Sequence, residues 1–526
     1  MRAAPALDWR FRNSLSISVA TNRIDATGFE RSHERLDPGI SDPPSPRLRR
    51  GENSSIYAHR NWWACALMKD LTQGSVTKHL LHMSAFMAVS MVVQTLYLLA
   101  DLFWVGRLGK EAIAAVGVAG NLTMIVLALT QMLGVGTTAL ISQAAGRKDQ
   151  PHAELVFNQS CAMSIWIALA LGAVGFVSMD AYANSLSADS ATAGLAKAYL
   201  VWFLPAMLLQ FPLVSMGSAL RATGIFQAPV IFQVVSVILN IVLAPFLIFG
   251  IGPWPKLGVT GAALATFISI VVADLLIIWY FEKKYRYLRF RFPLWRAQMK
   301  IWSAMLRIGV PAGAEFVLLF VYILIVYWII RNFGPAAQAG FGVGARVMQA
   351  LFLPVVALSF AVSPLVGQNF GGRRADRVRH SVKSGLVLAT AVMLVLAVIT
   401  EIVPGPMIRF FSNDANVIAF GSDYLRIVAF NFVAAGIVFT SSSMFQGLGN
   451  TVPPLLSSAS RLVLFALPAV LLSQKPGFDI KLVWYLSVGS QVLQACINLL
   501  LLRRELHKKL RFEEADGFVP ASATAS

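Results

Sequence analysis

A few charged residues stand where charge is expensive. In "LYLLADLFWVGRLG" (96–109), Asp101 ends a run that carries no Asp, Glu, Lys or Arg from His79 to Ala100. In "GVPAGAEFVLLFVY" (309–322), Glu315 follows Pro311 by one helical turn. A charged side chain at the centre of a bilayer costs about 2.5–3.5 kcal/mol on insertion scales, so such residues face protein or water and mark ion pathways. A carboxylate there can take up and release a cation. Asp101 reads either as a cation site or as a hydrated acid at the membrane interface. Proline removes a backbone donor and opens the carbonyl four residues back. Glu315 beside freed carbonyls reads as a proton or sodium site, or as a structural hydrogen bond to a neighbouring helix. Arg346 is its candidate ion-pair partner and a candidate cavity residue. Asp274, followed by Trp279, Tyr280 and "EKKYR", reads as an interfacial anchor.

Other chemistries lack their residues. "GRLGKEA" has neither the second glycine nor the spacing of a phosphate loop. His79 and His82 have no further ligand in spacing, so no metal site is expected. Cys65, Cys161 and Cys496 are odd in number and scattered, with no pattern of disulfide or metal pairing. No catalytic cluster is visible, so the chain is read as a non-enzyme that needs no cofactor.

The elements that must position these groups are long apolar helices. Of 526 residues, 56% are hydrophobic and 13% charged, with a mean hydropathy of +0.65; soluble domains carry about 25% charge. A bilayer takes about 20 apolar residues per helix. Twelve segments qualify, near 80–105, 112–143, 155–179, 195–221, 227–250, 258–281, 304–331, 337–368, 380–403, 418–446, 452–473 and 482–502. The expected fold is an all-α integral membrane protein.

The net charge of +18 is explained by position. Arg and Lys gather after the second, sixth, eighth and twelfth spans, while "GIGPWPKLG" on the other side has Lys256 alone. Positive charge marks cytoplasmic loops. Both termini are expected in the cytoplasm, the chain is expected to be a multi-pass protein of the plasma membrane, and nucleic acid is not an expected partner. The linker 283–303 interleaves cations with aromatic residues, as in a segment lying on an anionic leaflet. Residues 1–67 read as a disordered extension, with Met68 as the expected natural start, and 505–526 as a cytoplasmic tail.

The halves repeat at a constant offset of 225 residues. "GRLGKEAIAAVGVA" (106–119) aligns with "RNFGPAAQAGFGVG" (331–344), and "ISQAAGRK" (141–148) with "VGQNFGGR" (366–373). Tyr199 falls on Tyr424, Ser218 on Ser443 and Gly224 on Gly449. Six spans per copy give parallel repeats, expected as two six-helix lobes, 68–282 and 304–504, around a cleft, the architecture of secondary carriers.

"ADLFWVGRLGKEAIAAVG", "LISQAAGRKD", "SALRATG", "NIVLAPFLIFG" and "LVGQNFGG" resemble the multidrug and toxic compound extrusion (MATE) transporters over roughly residues 70–505. The resemblance implies efflux of organic, often cationic, compounds in antiport with protons or sodium ions. It also implies a small-molecule substrate, a lipid bilayer around a monomer, and cation coupling through Asp101, Asn240 and Glu315. Where members of the proton-coupled branch carry an Asp one turn after the asparagine, this chain has Ala244. Glu315 lies closer to its proline than the family acid does. One carboxylate rather than two in the first lobe favours a proton, which needs one basic site, over sodium, which needs several oxygens. The alternative is an exporter or flippase of lipid-linked saccharides from the same broad superfamily, which would need a cationic cleft built from Arg346, Arg426 and Arg461.

Overall fold

The computed structural model describes residues 68–511, except Ala188. The expected extension 1–67 and residues 512–526 of the tail lie outside the described residues. The described chain is helical, with no β-strand. The helices are α1 (Val76–Gly106), α2 (Lys110–Gly146), α3 (Gln150–Leu186), α4 (Ser190–Ala222), α5 (Gln227–Phe249), α6 (Val259–Lys283), α7 (Met299–Ile330), α8 (Pro335–Gly371), α9 (Ala375–Ile402), α10 (Pro404–Arg409), α11 (Ala415–Ala429), α12 (Asn431–Leu448), α13 (Val452–Ser473) and α14 (Lys481–Lys509). Eleven are long and apolar enough to cross a bilayer, and α11 with α12, bent by 58°, makes a twelfth.

Local signals fix the ends. Asp149 and Asp189 cap α3 and α4 by accepting the amides of His152 at 3.1 Å and Thr192 at 2.7 Å. Gly250 ends α5 with a φ of 71°, a left-handed value that glycine takes without strain. The tenth span is expected as one helix, but the chain bends at Phe430, which the repeat places on Pro205 of the unbroken α4. Nothing in the packing around Phe430 explains the break. Large apolar side chains such as Val177 (87% exposed) and Leu500 (67%) face outward, as an apolar solvent requires.

The lobes are not closed units. Leu80, Met83 and Met87 of α1 join the hydrophobic core formed by α8, α9 and α12. Reciprocally, Met305 of α7 packs in the core of the first lobe, and Ile308 and Ala312 of α7 pack on Val135 and Ala139 of α2. Small residues permit this. A β-carbon on Gly136 would come within 2.6 Å of the Met305 carbonyl oxygen, and one on Gly313 within 2.8 Å of that of Ala128. Each repeat thus lends the first half of its leading helix to the other.

The crossing contacts gather at the face that carries the basic loops. Gln143, Gly146, Gln368 and Gly371, at the ends of α2 and α8, all touch the opposite lobe. Toward the other face they stop: Gly117 and Gly120 of α2 meet nothing within 4 Å. The lobes meet at the basic face, and these two glycines of α2, nearer the other face, have no such neighbour.

The linker is pinned to α3, with Arg286, Arg289, Arg291 and Phe292 left exposed. Asn158 donates to the Arg289 carbonyl at 2.9 Å and accepts from the Arg291 amide at 2.8 Å and the Trp295 indole at 2.9 Å. Gln159 donates to the Arg296 carbonyl at 2.8 Å, and Arg291 pairs with Glu154 at 2.6 Å. Tyr285 and Leu288 are fully buried.

Candidate functional site

In the first lobe, Asp101 lies on α1 five residues from the end away from the basic face. It is buried at 9% exposure, and its Oδ1 has no hydrogen-bond partner. Beside it runs a short chain of hydroxyls and an amide. Tyr97, one turn earlier, hydrogen-bonds Thr266 of α6 at 3.1 Å, and the Asn240 amide of α5 donates to the same Thr266 oxygen at 3.2 Å. The Asn240 Oδ1 is buried and also unpartnered. The phenols of Tyr97 and Tyr199 lie within electrostatic reach of Asp101. Two buried oxygens without hydrogen-bond partners, one of them a carboxylate oxygen, therefore adjoin this chain of hydroxyls. Buried polar groups without partners are rare because each costs about 1–3 kcal/mol, and an unpaired charge costs more. A proton or a small cation bound to Asp101 removes that cost. Ala244, fully buried, fills the place of the second acid.

The structure thus brings together Asp101 and Asn240, which the family resemblance singled out. It adds Thr266, which sequence reasoning missed: a lone threonine in "VTGAALATFISI" carries no signal, and its role comes from facing α5 and α1.

In the second lobe Glu315 is partly buried and accepts hydrogen bonds from Ser442 of α12 at 3.2 Å and Ser458 of α13 at 3.3 Å. Gln494 of α14 donates to Ser458 at 3.0 Å. Arg346 is exposed, and no ion pair joins it to Glu315. The expected ion pair is not formed; two serines of the same lobe reach the carboxylate instead. Arg426 is also exposed. Arg461 lies inside the second lobe, its guanidinium 4.6 Å above the Tyr322 ring and its Nε without a partner. The repeat places Tyr322 on Tyr97 and Tyr424 on Tyr199. Equivalent tyrosine pairs therefore accompany an acid in one lobe and a base in the other.

Asp274 corrects an expectation. It is not an interfacial anchor: it is buried at 7% exposure within α6, and neither carboxyl oxygen has a partner. The basic and aromatic residues after it suggested an interface, but its own side chain turns into the lobe.

Comparison with known proteins agrees with this architecture. The family model described as MatE matches the chain twice, at residues 87–246 and 311–471, which reproduces the internal repeat. A FAD transporter of Shewanella oneidensis is 28% identical over 76% of this chain and 89% of its own length. The multidrug export protein MepA of Staphylococcus saprophyticus is 29% identical over 72% and 83% respectively. Among solved structures, a MOP superfamily transporter from Pyrococcus furiosus aligns with a TM-score of 0.77 at 25% identity, covering 84% of this chain and 98% of that one. The resemblance drawn from the motifs is thereby supported by the sequence and the fold together.

Proposed function

This chain belongs to the MatE family of multidrug efflux transporters, and on that premise we propose that it exports small organic compounds in exchange for protons taken up at Asp101. The basic face is the cytoplasmic one in this reading, and the opposite face is the outer one. The observation that carries it is the buried, unpaired Asp101 oxygen beside the orphan oxygen of Asn240. From the outward-open cleft a proton reaches Asp101, neutralises it and lets the pocket close without a buried charge. Opening to the cytoplasm hydrates the pocket, releases the proton and admits the next substrate. A potential of about 100 mV adds about 2.3 kcal/mol per charge, roughly a fifty-fold concentration ratio for one-to-one exchange with a neutral compound.

The proton is preferred to sodium because the first lobe holds a single carboxylate, which suffices for a proton; the neutral oxygens of Asn240, Thr266 and Tyr97 are the ligands that sodium would use. Proteoliposomes with independent proton and sodium gradients test this. Export is expected to follow the pH gradient. Export driven by sodium at equal pH, without a potential, would assign the coupling to sodium.

Arg461 favours a second reading of the substrate. A guanidinium over Tyr322 with its Nε free of a partner suits compounds that carry a negative group, and the Shewanella relative is described as a transporter of FAD. Competition between flavin nucleotides and cationic dyes in the same vesicles separates the two. Flavin competition that disappears in Arg461→Gln supports the anionic substrate.

A further inference from the structure

The inner side of the cleft is closed by two hydrogen bonds that mirror one another. Gln143, on α2 of the first lobe, donates to the Gly447 carbonyl on α12 of the second at 2.9 Å. Gln368, on α8 of the second lobe, donates to the Ala222 carbonyl on α4 of the first, also at 2.9 Å. The 225-residue offset carries Gln143 onto Gln368 and Ala222 onto Gly447, so one bond is the image of the other. We propose that Gln143 and Gln368 form a two-part latch that holds the basic-face gate shut, and that breaking it accompanies the switch to the inward-open state.

Three further features fit a device for gating rather than general packing. First, each glutamine sits against a glycine of the other lobe. A β-carbon on Gly146 would overlap the Gln368 carbonyl oxygen, and one on Gly371 would overlap that of Gln143. The lobes meet backbone to backbone, which only glycine allows at that distance. Secondly, α2 and α8 end abruptly after these glycines. Lys148 (φ 60°) and Arg373 (φ 53°), again related by the repeat, are the only non-glycine residues among those described with a left-handed backbone. Both chains leave the interface within two residues of it. Thirdly, Gln368 is wired to the segment before α1. Its Oε1 accepts the Leu71 amide at 2.9 Å, and Arg377 donates to the carbonyls of Leu71 and Gly74 at 3.2 and 2.9 Å. Parting Gln143 and Gln368 from the opposite lobe must break their bonds to Gly447 and Ala222, whereas Leu71 lies in the core that α8 and α9 help to form and need not part from Gln368. Beside the apolar packing of α7 on α2, these polar contacts are the part of the seam that can be removed one at a time, and one hydrogen bond shifts an equilibrium by roughly two- to tenfold.

The proposal rests on the alternating-access reading above, but its test does not require transport. Ser142 is buried against Gly367 of the other lobe and serves as a reporter. In protein with Cys65, Cys161 and Cys496 replaced, Ser142→Cys is treated from the basic face with a membrane-impermeant maleimide. At nearly constant shape, Gln143→Met removes the bond to Gly447, and Gln368→Met removes the bond to Ala222 together with the one accepted from the Leu71 amide. Each is expected to raise the labelling rate by a few fold, and the pair by about tenfold. Gly146→Ala and Gly371→Ala wedge the same seam, are expected to act in the same direction, and decide the matter if the glutamine variants do not insert. Labelling unchanged in well-inserted double variants of both kinds would overturn the latch. So would an effect carried wholly by one glutamine. Ion-driven export is scored separately, so a failed latch and a failed antiport are told apart.

Discussion

Ser458 donates a hydrogen bond to the Glu315 carboxylate at 3.3 Å, and the repeat-equivalent residues of the other lobe are also hydrogen-bonded, with the direction reversed: Ser90, in the place of Glu315, donates to the Gln233 side-chain oxygen. The bridge joins α7 to α13 in one lobe and α1 to α5 in the other. Only one copy contains an acid. A bridge that works in the first lobe without a charge is foremost a structural tie, and the second lobe has built the same tie around a carboxylate.

Glu315→Gln keeps the size and the acceptor of that tie. It is expected to fold and to retain most uphill export. Glu315→Ala leaves the Ser442 and Ser458 hydroxyls without their acceptor, at a cost of about 1–3 kcal/mol, and should lower the thermal midpoint in detergent. Loss of export in Glu315→Gln equal to that in Asp101→Asn would instead make the two acids one coupling system.

Asp101→Asn fixes the pocket in its neutral form. The protein is expected to fold and to bind substrate, measured by fluorescence or calorimetry, yet to lose concentrative export in vesicles. Asp101→Glu should keep part of it. Wild-type pumping by Asp101→Asn would remove this carboxylate from the mechanism.

Thr266→Val removes the hydroxyl that Tyr97 and Asn240 share. With Asn240 left less firmly held, the apparent affinity for the driving ion is expected to fall by roughly two- to tenfold, the effect of one hydrogen bond. The maximal rate should change less. Ion-titrated export in vesicles checks this, and an unchanged ion dependence would show that Thr266 does not support the site.

Asp274 has no partner for either oxygen, so its charge is a burden to the fold. Asp274→Asn is expected to raise the thermal midpoint. If export survives, the residue is a tolerated defect; if concentrative export falls while stability rises, Asp274 is a second protonation site on the way to the basic face.

Topology is open to direct labelling. Cysteines placed in 108–111 and in 332–335 should both react from outside with an impermeant reagent, because the repeats are parallel. Reaction of either one only from the cytoplasm would refute the proposed orientation.

Much of this protein was legible in one sequence because a bilayer simplifies the problem. Apolar runs must become helices when no water can satisfy the backbone, so the span limits, the offset that pairs Tyr199 with Tyr424, and the charge asymmetry of the loops could be read directly. Asp101 and Glu315 stood out because charge is scarce in such runs. The sequence could not show which way a side chain turns. Asp274 looked like an anchor from its neighbours, yet it is buried. Arg346 looked like a partner for Glu315, yet two serines about 130 residues away along the chain reach the carboxylate. Thr266 gained its place at the site only when α6 packed beside α5 and α1. The exchange of leading half-helices and the Gln143–Gly447 and Gln368–Ala222 bonds join residues about 300 and 150 positions apart. Periodicity reports which face of a helix is apolar; it is silent on which distant helix that face will meet, and only the packed lobes decided that.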